Sequence, residues 1–273
     1  MRKNVSGPGR GRGFTILELA ITLSIMAVLA VGILIPFVAQ VSQRKVADTE
    51  RVLEQAKEAL LGYATATGRL PCPATAASNG FESFATGGNV SNGNCTLTGT
   101  HFIGFLPAAT LGFTPIDSAG YAIDGWATTH NRIRYAVANQ TINGSANPFT
   151  RTDGMRDATP AQLATADLLF VCSSGTGAVA ATPACGGAAA TLTRNAPAVV
   201  WSSGANAATG GTSVDEAQNP HPNGSASPAY GSADRIFVSR TAGDTAGGEF
   251  DDIVTWLSVG NLVSRMVLGG QLP

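Results

Sequence analysis

Gly13-Phe14-Thr15-Ile16-Leu17-Glu18 leads into residues 19–39, which carry no charge. A helix crosses the hydrocarbon core of a bilayer with about 20 apolar residues, so residues 14–40 are predicted to form one transmembrane helix. Glu18 is unusual at the start of such a helix, because an unpaired charge costs about 2.5–3.5 kcal/mol at mid-membrane. The sequence therefore indicates an apolar helix whose carboxylate is neutralised by another group.

These residues resemble the class III signal peptide of type IV pilins and type II secretion pseudopilins, which are made as prepilins. The resemblance implies that a prepilin peptidase/methyltransferase cuts between Gly13 and Phe14 and then methylates the new amine of Phe14. It also implies that Glu18 pairs with the N-terminal amine of a neighbouring subunit during filament assembly. The other side chains expected to take part in assembly are Leu17, Ile21, Ile25 and Val28.

Residues 1–13 form a basic leader that contains Arg2, Lys3, Arg10 and Arg12 and no acidic residue. Positive charges beside a membrane span stay in the cytoplasm, which predicts a single-pass protein with its C-terminal domain on the other side. The resemblance implies that this membrane is the bacterial inner membrane and that the domain is periplasmic. A nucleic-acid-binding arm is the alternative interpretation of the leader. The resemblance further implies transfer by an inner-membrane assembly platform into a pilus or pseudopilus, which can extend to the cell surface.

The composition is poor in charge, with 13% charged residues and a net charge of −1. About a quarter of the residues in an average globular protein are charged. Small polar residues and glycine are abundant instead, which is typical of an exported, loop-rich β domain rather than a cytosolic enzyme. The nearly neutral charge gives no indication of a specific nucleic-acid partner.

Four cysteines, which permit three disulfide pairings, all follow the apolar helix: Cys72, Cys95, Cys172 and Cys185. We favour disulfides Cys72–Cys95 and Cys172–Cys185, because each closes a short loop rich in small residues. Disulfides are typical of an oxidising compartment such as the periplasm. A zinc site is the alternative, although no C-x-x-C pair occurs and the three histidines are scattered.

Residues 41–68 are predicted to continue the helix as an amphipathic half. Val46, Leu53 and Leu60 recur at sevenfold spacing, and charged residues occupy the other side. Gly68 predicts the end of the helix. The apolar stripe is too short for a free coiled coil, so we expect this half to pack against a globular domain.

Residues 69–273 are predicted to form a periplasmic or surface-exposed β-rich domain. The expected fold class is therefore α+β, with the long N-terminal helix packed against an antiparallel sheet that has long loops. Strands are predicted at residues 132–137, 168–172, 196–201 and 234–240, and a short helix at 160–166. The first and last of these strands are predicted from alternation. In the first, Ile133, Tyr135 and Val137 alternate with Arg132, Arg134 and Ala136; in the last, Ile236 and Val238 face one way and Arg235, Phe237 and Ser239 the other. Residues 74–100 and 202–233 are predicted to be exposed loops, and the tail, residues 250–268, fits a strand followed by a helix or one amphipathic helix.

No catalytic motif is recognisable, and no catalytic residue is predicted. Some pseudopilins hold calcium near their C-terminal end, and the resemblance suggests weak calcium candidates here: Asp244, Glu249, Asp251 and Asp252. The spacing of the family's calcium ligands is not clearly reproduced, and calcium needs six to eight converging oxygens. A solvated acidic turn is the alternative interpretation of this cluster.

Two functions are compatible with the sequence. In the first, the chain is a structural subunit of a pilus or pseudopilus, and its large domain and long loops are more typical of a minor component than of a main building block. In the second, it is a membrane-anchored periplasmic enzyme or binding protein, and the helix is only a tether. The second function leaves the position of Glu18 unexplained.

Overall fold

The computed structural model describes residues 15–96, 100–179, 182–209, 211, 213–220, 235–244 and 248–272, with the side chains of residues 30–39 left out. The chain divides into two compact units, Met1–Arg44 and Lys45–Pro273. The predicted leader and Phe14 lie outside the described residues.

Helix α1 (Ile16–Thr67) is one continuous helix. Thr15 precedes it, and its hydroxyl oxygen accepts a hydrogen bond from the backbone N–H of Glu18 at 3.2 Å, as a helix N-cap does. Gly68 follows the helix with a left-handed φ of 77° and donates its N–H to the Ala64 carbonyl at 2.9 Å. The predicted end is thus confirmed, because glycine adopts this conformation without a steric penalty. Within the described side chains, no helix is both long and apolar enough to cross a membrane.

The second unit contains all of the strands that the structure describes and three short helices. In chain order its elements are β1 (His101–Phe105), α2 (Ala108–Leu111), β2 (Arg134–Ala138), α3 (Pro160–Thr165), β3 (Leu169–Cys172), β4 (Thr191–Ala196), β5 (Ala198–Ser202), β6 (Ile236–Val238), β7 (Ile253–Leu257) and α4 (Val259–Leu268). The strands predicted at 168–172 and 196–201 and the helix predicted at 160–166 are confirmed as β3, β5 and α3. Of the two alternatives for the tail, residues 250–268, the structure has the strand followed by a helix, β7 and α4.

Two sheets organise this unit. The first is antiparallel, with the strand order β1-β2-β5-β7. The second has the order β4-β3-β6, and β3 pairs antiparallel with β4 but parallel with β6. The predicted α+β class with an antiparallel sheet is confirmed, whereas the small mixed sheet was not predicted.

The main hydrophobic core joins the second half of α1 to the first sheet and to α4. Leu53 and Leu60 are 1% and 0% exposed, and Leu262 and Met266 of α4 belong to the same cluster. Ser258 caps α4 by accepting the Asn261 N–H at 3.2 Å. The predicted amphipathic half is therefore a packed helix, and full burial of each leucine contributes about 1.5–3 kcal/mol.

A half-buried loop at residues 124–126 contacts α1 at Thr49. The Thr49 hydroxyl donates to the Lys45 carbonyl at 2.8 Å and accepts the backbone N–H of Gly125 at 3.0 Å. A side chain at position 125 would collide with the Lys45 backbone. Asp124 fixes the same loop, because its carboxylate accepts the Trp126 N–H at 2.8 Å.

Two strands whose sequences alternate are buried along their whole length. Every residue of β2 is buried, and Arg134 is only 1% exposed, with its guanidinium 4.2 Å from the centroid of the Phe105 ring. Every residue of β6 is also buried, and Phe237 lies 5.1 Å from Trp201 between ring centroids. Both strands are covered on both faces, so alternation in the sequence does not mark an exposed face here.

The described part of residues 202–233 is also more buried than predicted. Asn219 explains why, since its side chain donates to the Val238 carbonyl at 2.9 Å and accepts the Val238 N–H at 2.8 Å. This segment therefore extends the edge of β6 instead of leaving the domain. Its buried polar residues are Ser202, Ser203, Ser213, Asp215, Glu216 and Asn219.

Candidate functional site

The first candidate site is the beginning of α1, where large apolar side chains are exposed. Their exposed fractions run from 50% for Ile21 to 89% for Ile16. All four predicted assembly residues besides Glu18 belong to this set, at 71% for Leu17, 50% for Ile21, 54% for Ile25 and 73% for Val28. A continuous exposed apolar surface of this kind marks a site of contact with protein or lipid.

Glu18 lies in the first turn of this exposed segment. Its carboxylate is exposed and has no hydrogen-bond or ion-pair partner among the residues that the structure describes. The Glu18 carbonyl accepts the Thr22 hydroxyl at 3.0 Å, so the backbone here is held in the helix. The carboxylate is therefore available to a partner from another molecule. The predicted cleavage site, Gly13 and Phe14, lies outside the described residues.

Both favoured disulfides are present. Cys72–Cys95 and Cys172–Cys185 join Cα atoms 5.4 and 5.6 Å apart, and no described cysteine is free. The zinc alternative for these four cysteines is therefore wrong. The first disulfide fixes one end of the loop at residues 89–95, and the second ties the end of β3 to the following loop.

Three carboxylates meet in the second unit, at Glu216, Asp251 and Asp252. One oxygen from each lies within 4.8 Å of the others. Glu216 and Asp252 are 1% and 4% exposed, so this carboxylate cluster is largely removed from water. Of the four predicted calcium candidates, Asp251 and Asp252 belong to the cluster, whereas Asp244 and Glu249 are exposed and do not; calcium binding itself stays a prediction.

The carboxylate cluster is held by hydrogen bonds from two loops. Asp251 Oδ2 accepts the backbone N–H groups of Ala205 and Asn206 at 2.8 and 3.0 Å. Glu216 Oε1 accepts the Asp251 N–H at 3.1 Å, and Asp252 Oδ2 accepts the Asn219 side-chain amide at 2.9 Å. Asp251 Oδ1 is buried and has no partner among the described residues.

Burial sets the protonation of these groups. Desolvation raises the pKa of Asp251 to about 6, against hydrogen bonds from Asn206 and Ala205 and with the charge of Glu216 raising it further. Desolvation also raises the pKa of Asp252 well above its ordinary value, and the charges of Glu216 and Asp251 add to the effect. Such a cluster favours either a bound proton or a bound cation, because carboxylates this close repel one another. Carboxylate oxygens are suitable ligands for calcium.

Glu216 could not be identified from the sequence as a member of this cluster. It lies in a segment without periodicity, thirty-five residues before Asp251. Its position depends on the way Asn219 attaches that segment to β6. An isolated Asp-Glu pair between glycine-rich stretches is the only signal that the sequence contains.

Ser202, the last residue of β5, belongs to a hydrogen-bond network that has a structural role. The Ser202 hydroxyl is fully buried and donates to Asp124 Oδ2 at 2.5 Å. Asn131 donates its amide to the same carboxylate oxygen at 3.0 Å and to the Gly204 carbonyl at 2.6 Å. Desolvation raises the pKa of Asp124, although these hydrogen bonds oppose the shift. The network holds the 124–131 loop against β5, and Ser202 is not placed to meet a substrate.

His101 is a second buried titratable group that is part of the core. It is 5% exposed, and desolvation lowers its pKa to about 4, with the charge of Arg235 acting in the same direction. Its ring packs edge-on against Phe237, 5.8 Å between centroids. His101 is thus neutral at physiological pH and fills space between the sheets.

A scan against protein-family models, a search of curated proteins and a search of solved structures each found no match to this chain.

Proposed function

We propose that this chain is a pilin-like structural subunit that is cut after Gly13 and assembles through α1 into a type IV pilus or a type II secretion pseudopilus. The observation that carries the proposal is the Glu18 carboxylate, which has no partner in the described part of the chain and lies at the start of a helix whose apolar side chains are exposed. Before assembly, residues 14–40 hold the precursor in the bacterial inner membrane. The second unit then lies in the periplasm, where its disulfides are stable.

Pairing with a second copy accounts for both unusual features of the segment. Cutting between Gly13 and Phe14 creates a positive amine on every subunit, and Glu18 of a neighbour supplies the opposite charge. A carboxylate is tolerated in an apolar environment when it is paired and hydrogen-bonded. Packing of helices against one another then covers the apolar side chains that a single chain leaves exposed.

The partners of this function follow from its steps. A prepilin peptidase/methyltransferase removes the leader and methylates Phe14, the lipid bilayer holds the precursor, and an inner-membrane assembly platform moves it into the filament. Other pilins or pseudopilins form the rest of that filament. The large second unit and its long loops favour a minor component.

The test compares Glu18→Ala and Glu18→Gln with Glu50→Ala, a matched control at an exposed glutamate further along α1. Removing one partner of a buried charge pair costs about 3–5 kcal/mol, and each 1.4 kcal/mol is tenfold in an equilibrium. Both Glu18 variants should therefore enter sheared filaments at least about tenfold less than wild type, at equal membrane abundance. Glu50→Ala should assemble normally.

Mass spectrometry of the mature chain gives an independent readout. The expected N-terminus is N-methylated Phe14. A mature chain that begins at Met1, or a Glu18→Ala variant that assembles like wild type, contradicts the proposal. In that case the helix serves as a tether for a periplasmic enzyme or binding protein.

A further inference from the structure

A polar depression of about 660 Å³ opens on the second unit. It lies where the loop at residues 89–95 meets the turn at 142–145 and the segment at 151–157. Ligand sites usually measure about 300–1,000 Å³. Every side chain that lines this depression is either polar or no larger than a methyl group, which disfavours an apolar ligand.

The walls of the depression are built without help from a ligand. Asn143 and Gly144 adopt left-handed φ values of 51° and 78°, and Ile142 and Ser145 on either side exchange backbone hydrogen bonds at 3.0 and 2.9 Å. Positive φ at both central residues is the geometry of a tight hairpin turn, and Asn-Gly favours it. The turn is therefore rigid.

The opposite wall is equally fixed. Asn92 uses its whole side chain inside its own loop, since Oδ1 accepts the N–H groups of Asn89 and Asn94 and Nδ2 donates to the Gly87 carbonyl. Asn147 then donates to the Asn92 carbonyl at 3.2 Å and connects the two walls.

Arg151 and Asp157 line the depression, and each has hydrogen-bonding atoms without a partner among the described residues. One Arg151 nitrogen, Nη2, donates to Ser145 Oγ at 2.5 Å and to Asp157 Oδ2. Arg151 Nε is buried and has no acceptor among the described residues. Asp157 Oδ1 and Asn143 Oδ1 accept no hydrogen bond from the part of the chain that the structure describes. Nε is too enclosed to meet a ligand, but Arg151 Nη1 is accessible and donates to no acceptor among the described residues, so it can donate to a ligand oxygen.

These groups define the chemistry of the ligand. The charges of Arg151 and Asp157 cancel, so the depression has no net charge that would attract an anion or a cation. A suitable ligand presents an oxygen acceptor for the guanidinium beside hydroxyl donors for the carboxylate and amide oxygens. Adjacent hydroxyl groups on a sugar ring have this character, because each hydroxyl both donates and accepts.

We propose that this depression binds a neutral saccharide through a vicinal diol, with Asp157 and Asn143 accepting its hydroxyl protons and Arg151 donating to its oxygen. The site is separate from the beginning of α1 and does not depend on filament assembly. Failure of one proposal therefore leaves the other in place.

The experiment uses the full chain in a zwitterionic detergent, because the head group of a maltoside detergent would itself occupy the site. Glucose, galactose, N-acetylglucosamine and maltose are titrated and followed by saturation-transfer NMR. Hydrogen bonds to charged groups are stronger than neutral ones, so Asp157→Asn should weaken binding about tenfold and Asn143→Gly about threefold. Glycine keeps the left-handed turn intact.

Asp167→Asn is the matched control. Asp167 is 53% exposed in an ion pair with Arg194, whereas Asp157 is 52% exposed in its pair with Arg151. Asp167 does not line the depression, so this variant should bind like wild type. If Asp157→Asn does not fold, Asn143→Gly carries the test, with the thermal midpoint as the check on folding.

Three outcomes overturn the proposal. Wild type binds none of the four sugars, or it binds citrate or phosphate more tightly than any of them, or sugar binding is unchanged in Asn143→Gly. Selective sugar binding that is weakened by Asn143→Gly and kept in Asp167→Asn supports it.

Discussion

Two portions of helix α1 contain the same types of residue in opposite environments. Leu17 and Val28 in the first portion are 71% and 73% exposed, whereas Leu53 and Leu60 in the second are 1% and 0% exposed. The second portion is covered by the sheet and α4 of its own chain. The second portion of α1 is therefore buried by residues of its own unit. The apolar side chains of the first portion are not covered by any residue that the structure describes.

This difference separates residues that stabilise the fold from residues to which the proposed function assigns assembly. A substitution in the second portion should change the free energy of unfolding, and one in the first portion should not. Buried and exposed leucines of α1 should differ in this way, and buried and exposed ion pairs should differ in the same direction.

The largest expected effect comes from Leu60→Ala. Truncating a fully buried leucine removes its transfer free energy and leaves a cavity, so the free energy of unfolding of the second unit should fall by about 3–5 kcal/mol. The matched variant Leu17→Ala should change it by less than about 0.5 kcal/mol. Denaturant unfolding of the full chain in detergent, followed by near-UV circular dichroism, measures both. Equal losses would show that the two portions do not differ as the exposures indicate.

An intermediate effect is expected from Glu82→Gln. Glu82 forms an ion pair with Arg69 at 2.7 Å, and the two side chains are 16% and 5% exposed. An amide still accepts a hydrogen bond but leaves the buried guanidinium without an opposite charge, so stability should fall by about 2–3 kcal/mol.

The control for this pair is Asp48→Asn on the outer side of α1. Asp48 pairs with Arg51 at 3.1 Å, with both side chains more than half exposed. Exposed pairs contribute about 0–1 kcal/mol, so this variant should be nearly neutral in the same unfolding experiment. A control that is as destabilised as Glu82→Gln would contradict the importance of burial.

The smallest effect concerns pH and the carboxylate cluster. The pKa of Asp251 is about 6 in the folded chain and about 4 in an unfolded one. A raised pKa favours the folded state below about pH 4, and this stabilisation is lost as pH rises through about 6. With solvent screening of this half-buried group, the loss between about pH 4.5 and 7.5 should be on the order of 1 kcal/mol.

Asp251→Asn should remove this contribution to the pH dependence, and Asp244→Asn, an exposed neighbour in sequence, should leave it unchanged. Unfolding is measured with a chelator present and then with calcium added near pH 7.5. Recovery of stability with calcium identifies the carboxylate cluster as a cation site. Buried His101 makes the whole chain more stable as pH rises from about 4 to 6.5, so the direction is judged on the difference in stability between wild type and Asp251→Asn. A difference that shifts in favour of wild type as pH rises contradicts the prediction.

Local signals predicted the elements that depend on nearby residues. The sevenfold spacing of Leu53 and Leu60 identified the buried side of α1, Gly68 identified its end, and short loops indicated both disulfide pairings. Buried apolar runs predicted β3 and β5 for the same reason. In each case the sequence signal lies within one helix, one strand or one short loop.

Contacts distant in sequence could not be predicted in this way. Arg134 resembles a solvent-facing residue of an alternating strand, yet its guanidinium lies over the Phe105 ring. Glu216 joins Asp251 and Asp252 only because its segment packs along β6. The Arg151–Asp157 pair appears unremarkable in sequence, and the depression beside it depends on three separate loops.

The contact at Thr49 has a practical consequence for shortened forms of the protein. Its hydroxyl joins the Lys45 carbonyl to the Gly125 N–H, and the side chain is fully buried. A soluble fragment that starts after Lys45 would lose this carbonyl and leave the hydroxyl without its acceptor. Fragments for biochemical work should therefore begin at or before Lys45, with any fused tag placed ahead of that residue.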